Sequence, residues 1–313
     1  MARIPGSRHD VINPVSKLFG SSSEPNMDTV STPPAPGPLI AIGGAEDRTS
    51  EAIILARVMS LAPEDNKTVG VITTASSIPA EVFAGYEAVF TRLGAGKVHD
   101  LRIRTRAEAD NAEHVRTIGT CGVIFISGGD QMRLTNILGA SRSLEAIRKR
   151  HDAGAVVAGT SAGAACMSTT MVYGGPAGDS LRKGAVKMSG GLAFAEGVII
   201  DTHFLERGRF SRLMEVGATN PEYVGVGLGE DAAIQFLDGH ALEAFGPGHV
   251  VIVDSAQITG SNVYDVNYGE AVTVHNVVMH ALINGYGYDI MNRRVLMPDD
   301  LRAWKSERNI AYS

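Results

Sequence analysis

The sequence predicts an α/β fold with a mostly parallel central sheet flanked by helices, on three observations. Short apolar runs alternate with helical stretches of 10–15 residues through the first half of the 313 residues, as βαβ units do. Several of those runs end in glycine or small polar residues, where such a sheet carries its ligand site. Past residue 220 the texture changes to closely spaced short strands, read as an antiparallel C-terminal extension.

Residues 1–37 contain Ser21-Ser22-Ser23 and Pro33-Pro34-Ala35-Pro36-Gly37, and such composition cannot build a packed element. They are expected to be a loosely ordered lead-in to one α/β domain over residues 38–313. The first strand is Leu39-Ile40-Ala41-Ile42, closed by Gly43-Gly44, with a helix over 51–61. Strands at 69–73 and 98–103 alternate with helices at 80–93 and 107–118. The buried-type run Val123-Ile124-Phe125-Ile126 precedes Ser127-Gly128-Gly129, a helix covers 144–150, and Ala155-Val156-Val157-Ala158 is again a strand. Strands at 198–200, 232–236, 241–245 and 250–253 complete the reading, with no internal repeat.

A formal net charge of -6 argues against nucleic acid and anionic membranes as partners, both of which require a basic surface. A cationic substrate suits it better. Two cysteines without a C-x-x-C pair make a disulfide framework or a structural zinc site unexpected. Nine histidines occur without an H-E-x-x-H motif, so no metal and no cofactor is expected. No apolar run is long enough to span a bilayer, and the first residues lack the apolar stretch of a signal peptide. A soluble, cytoplasmic protein is the expectation.

Gly159-Thr160-Ser161-Ala162-Gly163 has the G-x-S-x-G form between an apolar strand and the small-residue run Ala164-Ala165-Cys166-Met167. A sharp strand-to-helix turn lifts a serine hydroxyl out of the sheet, and small neighbours permit the strained backbone. The Ala162 amide would then face a developing oxyanion. Gly128-Gly129-Asp130-Gln131 offers a second donor at Gly129, or a glycine turn capped by Asp130 into a helix. An ordinary strand-to-helix connection at Ser161 remains the competing interpretation.

A serine nucleophile needs a base oriented by a carboxylate. His203 follows the strand at 198–200 within Asp201-Thr202-His203-Phe204, where the sheet's functional edge is expected. Glu230 follows Val224-Gly225-Val226-Gly227-Leu228-Gly229 and is the candidate acid, or else an exposed turn carboxylate. An α/β-hydrolase esterase would instead run Ser, acid, His, which would need a carboxylate such as Asp179 between Ser161 and His203. Arg207, Arg209 and Arg212 follow the histidine. They suit carboxylate recognition by guanidinium forks, or a solvated helix face paired with Glu206 and Glu215.

Taken together, these segments resemble the cyanophycinases, of the serine peptidase family that includes the aspartyl dipeptidase peptidase E. The resemblance runs from about residue 39 to 255. It includes Gly43-Gly44-Ala45-Glu46-Asp47, Thr73-Thr74-Ala75-Ser76-Ser77, Gly128-Gly129-Asp130-Gln131, the serine elbow, Asp201 to Arg212 and Gly229-Glu230-Asp231. It implies a fold like that of class I glutamine amidotransferases, with serine in place of the elbow cysteine. Ser161 is then nucleophile, His203 base and Glu230 orienting acid, with Gln131, Asp201, Arg207, Arg209 and Arg212 around the substrate. The implied substrate is cyanophycin, a poly-aspartate carrying arginine on each side-chain carboxyl, or else short β-aspartyl peptides. Asp130 or Asp201 would meet substrate guanidinium groups, and the arginines its carboxylates. Thr202 stands where cyanophycinases commonly have glutamine, which bears on the substrate contacts. The resemblance also implies a homodimer. The competing reading from another class is a catalytically silent binding module.

Overall fold

The computed structural model describes residues 35–308 and 310, so the expectation for residues 1–34 lies outside the described residues. In the first half the chain runs β1 (Leu39–Ile42), α1 (Ile53–Ser60), β2 (Thr68–Ile72), α2 (Pro79–Arg92), β3 (Lys97–Leu101), α3 (Arg106–Ala109), α4 (Ala112–Gly119) and β4 (Val123–Ile126). It continues through α5 (Gln131–Leu138), α6 (Arg142–Asp152), β5 (Val156–Thr160) and the short α7 (Ala162–Ala165). Strands β1, β5, β4, β2 and β3 pair in parallel in that order. The helix expected over 107–118 is two helices, because Asn111 caps a new one by accepting from the Glu113 amide at 2.7 Å.

Alternation along the parallel strands explains the layers. Ile40 and Ile42 of β1, Val123 and Phe125 of β4, and Val156 and Ala158 of β5 pack with Ile54, Leu55 and Val58 of α1 and Phe90 of α2. Leu39, Ala41, Ile124, Ile126 and Val157 face the other way, against Leu134 of α5, Ile147 of α6 and Ala164 of α7. The sheet is therefore covered on both faces, which is why its strands read as continuous apolar runs.

The second half departs from the expected single extension. It holds β6 (Thr170–Gly174), β7 (Lys187–Gly190), β8 (Val198–Thr202), α8 (Phe210–Thr219), β9 (Val224–Leu228), β10 (Ala233–Leu237), β11 (Ala241–Phe245) and β12 (Val250–Asp254). The two-residue strands β13 (Gly260–Ser261) and β14 (Val274–His275) follow, then β15 (Val278–Leu282), β16 (Gly287–Asp289), β17 (Arg294–Leu296) and α9 (Pro298–Glu307). Strands β10, β11, β16 and β17 do extend the main sheet antiparallel from β1, making it nine-stranded. Strands β8, β9, β12 and β15 instead form a separate four-stranded sheet. Val198, Ile200, Val226 and Ile252 of that sheet share one core with Ala41, Val157 and Ile234 of the main sheet. Buried Glu243 of β11 ties the extension to both helical neighbours, with Arg57 of α1 and Lys305 of α9 each 2.6 Å from Oε2.

Candidate active site

The site lies at the seam between the two sheets. Ser161 directly follows β5 of the main sheet with φ 51° and ψ -112°, a region that costs a non-glycine residue roughly 1–3 kcal/mol. The surroundings over-determine that turn. Its N–H donates to the Ile42 carbonyl at 2.9 Å, and its own carbonyl accepts from the amides of Ala164 and Ala165. The strained elbow expected from G-x-S-x-G is thus present in the backbone.

His203 follows β8 of the second sheet, also left-handed at φ 48°. Glu230 sits in the turn where the chain crosses from β9 in the second sheet to β10 in the main one. The Ser161 Oγ lies 3.0 Å from His203 Nε2, and His203 Nδ1 lies 2.7 Å from Glu230 Oε1. A carboxylate only accepts, so with neutral imidazole the proton sits on Nδ1 and Nε2 is left to accept from the serine hydroxyl. Asp179, the rival acid, is 72% exposed at its side chain and pairs with Arg182 at 2.8 Å.

Three consecutive carbonyls, from the last residue of β1 onward, hold the three segments in register. Ile42 accepts from Ser161, Gly43 from the His203 amide at 3.0 Å, and Gly44 from the Asp231 amide at 2.9 Å. Gly44 has φ 108°, and a Cβ there would stand 2.4 Å from His203 Cε1 and 2.6 Å from Nε2. Only glycine leaves room for the ring. Asp47 then turns the chain into α1 by accepting from the Ser50, Ala52 and Thr49 amides, which hold its carboxyl well below the usual range.

Gly128 borders the serine, since a Cβ on it would lie 3.1 Å from Ser161 Cβ. Among the described residues, the amides of Gly129 and Ala162 donate to no other backbone group. Asp130 caps α5, its Oδ1 accepting from Met132 at 2.8 Å and Arg133 at 3.3 Å. Gln131 Nε2 donates to the Val172 carbonyl at 3.1 Å. Thr202 is buried at the end of β8.

The cluster after the histidine differs from the expectation. Asp201 is 3% exposed, with Arg209 Nη1 at 3.0 Å from Oδ1 and Arg212 Nε at 3.0 Å from Oδ2. Burial raises its carboxyl above the ordinary range, while Arg212 and Arg209 oppose that shift. The carboxylate expected to meet a substrate guanidinium is occupied by two guanidinium groups of the chain itself, and Arg212 is buried with it. Arg207 alone of the three arginines is exposed. The proposed solvated helix face fails at Glu215 too, which is buried and accepts from the Gly184 amide at 3.0 Å. Asp201→Asn should cost about 3–5 kcal/mol by stranding buried cations, read as a lower melting temperature. A raised KM at unchanged stability would instead make Asp201 a substrate ligand.

Beside Ser161 opens a pocket of about 200 Å³, lined by Glu46, Arg48, Tyr86, Thr160, Gly44 and Gly128. Glu46 accepts from the Tyr86 hydroxyl at 2.5 Å and the Thr160 hydroxyl at 2.6 Å. Burial and the Glu46 charge push the Tyr86 phenol well above its ordinary range, so it stays a neutral donor. Residue pattern alone gives no role to Glu46, Arg48 or Tyr86. Glu46 stands just past a strand end, a usable signal, whereas nothing marks Tyr86 on its helix. Among the described residues no cluster of His, Cys, Asp and Glu could hold a metal ion, and no helix is long and apolar enough to cross a membrane.

Comparison with known proteins shows similarity over most of the chain. The chain is 36% identical over 259 residues to a cyanophycinase of Nostoc sp., covering 82% of this chain and 87% of that one. It is 34% identical to a cyanophycinase of Geminocystis herdmanii, with 83% and 95% covered, and 30% identical to one of Synechococcus elongatus, with 93% and 92% covered. In fold it resembles the crystal structure of a peptidase from an acI-B1 Actinobacterium, at TM-score 0.61 and 19% identity over 81% of this chain and 97% of that one. The sequence profile of peptidase family S51 matches residues 39–244, from the first strand of the main sheet through the serine elbow to its antiparallel extension. The chain therefore belongs to peptidase family S51 and is a serine-type peptidase.

Proposed function

We propose that this peptidase hydrolyses the poly-aspartate backbone of cyanophycin to β-Asp-Arg dipeptides through an acyl-enzyme on Ser161. The observation that carries the reading is the unbroken contact line from Ser161 Oγ through His203 to Glu230, at 3.0 and 2.7 Å. The three similar proteins named cyanophycinase supply the substrate. The fold is inferred to be of the class I glutamine amidotransferase kind, with residues 38–313 acting as one catalytic domain.

In the first step Ser161 Oγ attacks the backbone carbonyl as His203 Nε2 takes its proton. Oxygen charge develops beside the Gly129 and Ala162 amides, which are left to donate to it. Collapse expels the amine, which receives the proton from His203, and leaves an ester on Ser161. Water then attacks that ester with His203 again as base, and the acid product leaves. Glu230 stabilises the imidazolium formed in each step. Of the three arginines after His203, Arg207 is the one left to meet a substrate carboxylate.

Incubation with purified cyanophycin should yield β-Asp-Arg by mass analysis. Cleavage of Asp-containing dipeptides with the polymer left intact would replace this reading by a peptidase E type activity. Gly44→Ala should lower kcat about 100-fold, the scale of a misplacement of order 1 Å, because its Cβ would displace the His203 ring. Wild-type turnover by that variant would show the ring position to be unimportant.

A further inference from the structure

Glu46 is 5% exposed, yet it lines the pocket beside Ser161. Both its oxygens accept from neutral hydroxyls, those of Tyr86 and Thr160. Among the described residues no cation forms an ion pair with it. A carboxylate has about four acceptor positions, so this one retains capacity for further donors. A buried charge without a counter-charge is costly, and here it borders open space next to the nucleophile. Arg48, by contrast, is exposed at the rim, its guanidinium 5.1 Å from the Tyr86 ring centroid. It passes close over α2 where Gly85 has no side chain, a Cβ there reaching 3.2 Å from Arg48 Nη1. The pocket thus presents a negative charge at depth and a positive one at its mouth.

We propose that this pocket is the subsite for an arginine-like side group of the substrate, its guanidinium against Glu46 and its carboxylate against Arg48. The order of charges with depth matches such a group: its carboxylate lies near the point of attachment, its guanidinium at the far end. The proposal rests on the cyanophycin reading for the source of that group. Tyr86 and Thr160 orient the Glu46 carboxylate. Because Thr160 adjoins Ser161, Glu46 could also act only by bracing the elbow, and the test must separate the two.

The probe is L-arginine, with L-citrulline as its neutral isostere, titrated calorimetrically into Ser161→Ala protein. Arginine should bind at least about tenfold more tightly than citrulline, the scale of one charge-assisted hydrogen-bonded contact. Glu46→Gln should bring arginine down to the citrulline level. Arg48→Ala, at an exposed position and so independent of any folding defect in Glu46→Gln, should weaken both ligands. Thr160→Val removes the elbow contact and one of the two hydroxyls on Glu46 but keeps the charge, so arginine should still bind more tightly than citrulline, unlike in Glu46→Gln. Equal binding of the two ligands, no saturable arginine binding, or arginine binding indifferent to both Glu46→Gln and Arg48→Ala overturns the subsite. Glu46-dependent arginine binding by a protein that leaves cyanophycin intact supports the subsite and overturns the polymer reading. Polymer cleavage without Glu46-dependent binding does the reverse.

Discussion

Ser161→Ala is expected to lower kcat for β-Asp-Arg release by about 10⁶-fold, the scale seen when an attacking serine is lost. The hydroxyl supplies the only bond through which the acyl group would be held, and a methyl group cannot form it. The backbone should not suffer. Alanine has the same Cβ as serine, so the strain at φ 51° is unchanged, and the elbow is held by main-chain bonds to Ile42, Ala164 and Ala165. What is lost is one hydrogen bond to His203 at 3.0 Å, about 1 kcal/mol. The melting temperature should therefore move by only a few degrees. Mass analysis of the products together with a thermal melt checks both parts. Full dipeptide release by the variant would sink the acyl-enzyme scheme.

Glu230→Gln should cost about 10³-fold in kcat with little change in KM. Loss of the charge beside Nδ1 removes stabilisation of the imidazolium. An amide N–H facing Nδ1 would also move the ring proton to Nε2, the atom that must accept from Ser161. A buried orienting acid is worth about 10⁴ in such a step. The Glu230 side chain is 40% exposed, so water screens part of its field and the smaller figure is expected. A pH–rate profile adds a readout, because a misoriented histidine lowers the plateau at every pH. Wild-type kcat in Glu230→Gln would reassign the acid.

The elements that were legible in the sequence are those set by local pattern. The runs 39–42 and 123–126 gave strands covered on both faces, and the glycine-flanked serine gave a strained elbow. The strand at 198–200 was legible as a strand, but not as part of a second sheet. Periodicity encodes that both faces are buried, without saying which partner buries them. The arginines after His203 were visible as a cluster. Their direction was not, because the same spacing serves a solvated face, a ligand site or the buried pairing with Asp201 seen here.

The sequence by itself determined the parallel core and the serine on its turn. These follow from residue types acting over a few positions along the chain. Only the tertiary structure decided that serine and histidine approach from different sheets, 42 residues apart in sequence. It alone revealed the carbonyls of 42–44 that hold their segments in register, and Glu46 joined to Thr160 across 114 residues. Such contacts arise where separately formed apolar faces meet. Packing complementarity selects that meeting, and no local pattern carries it.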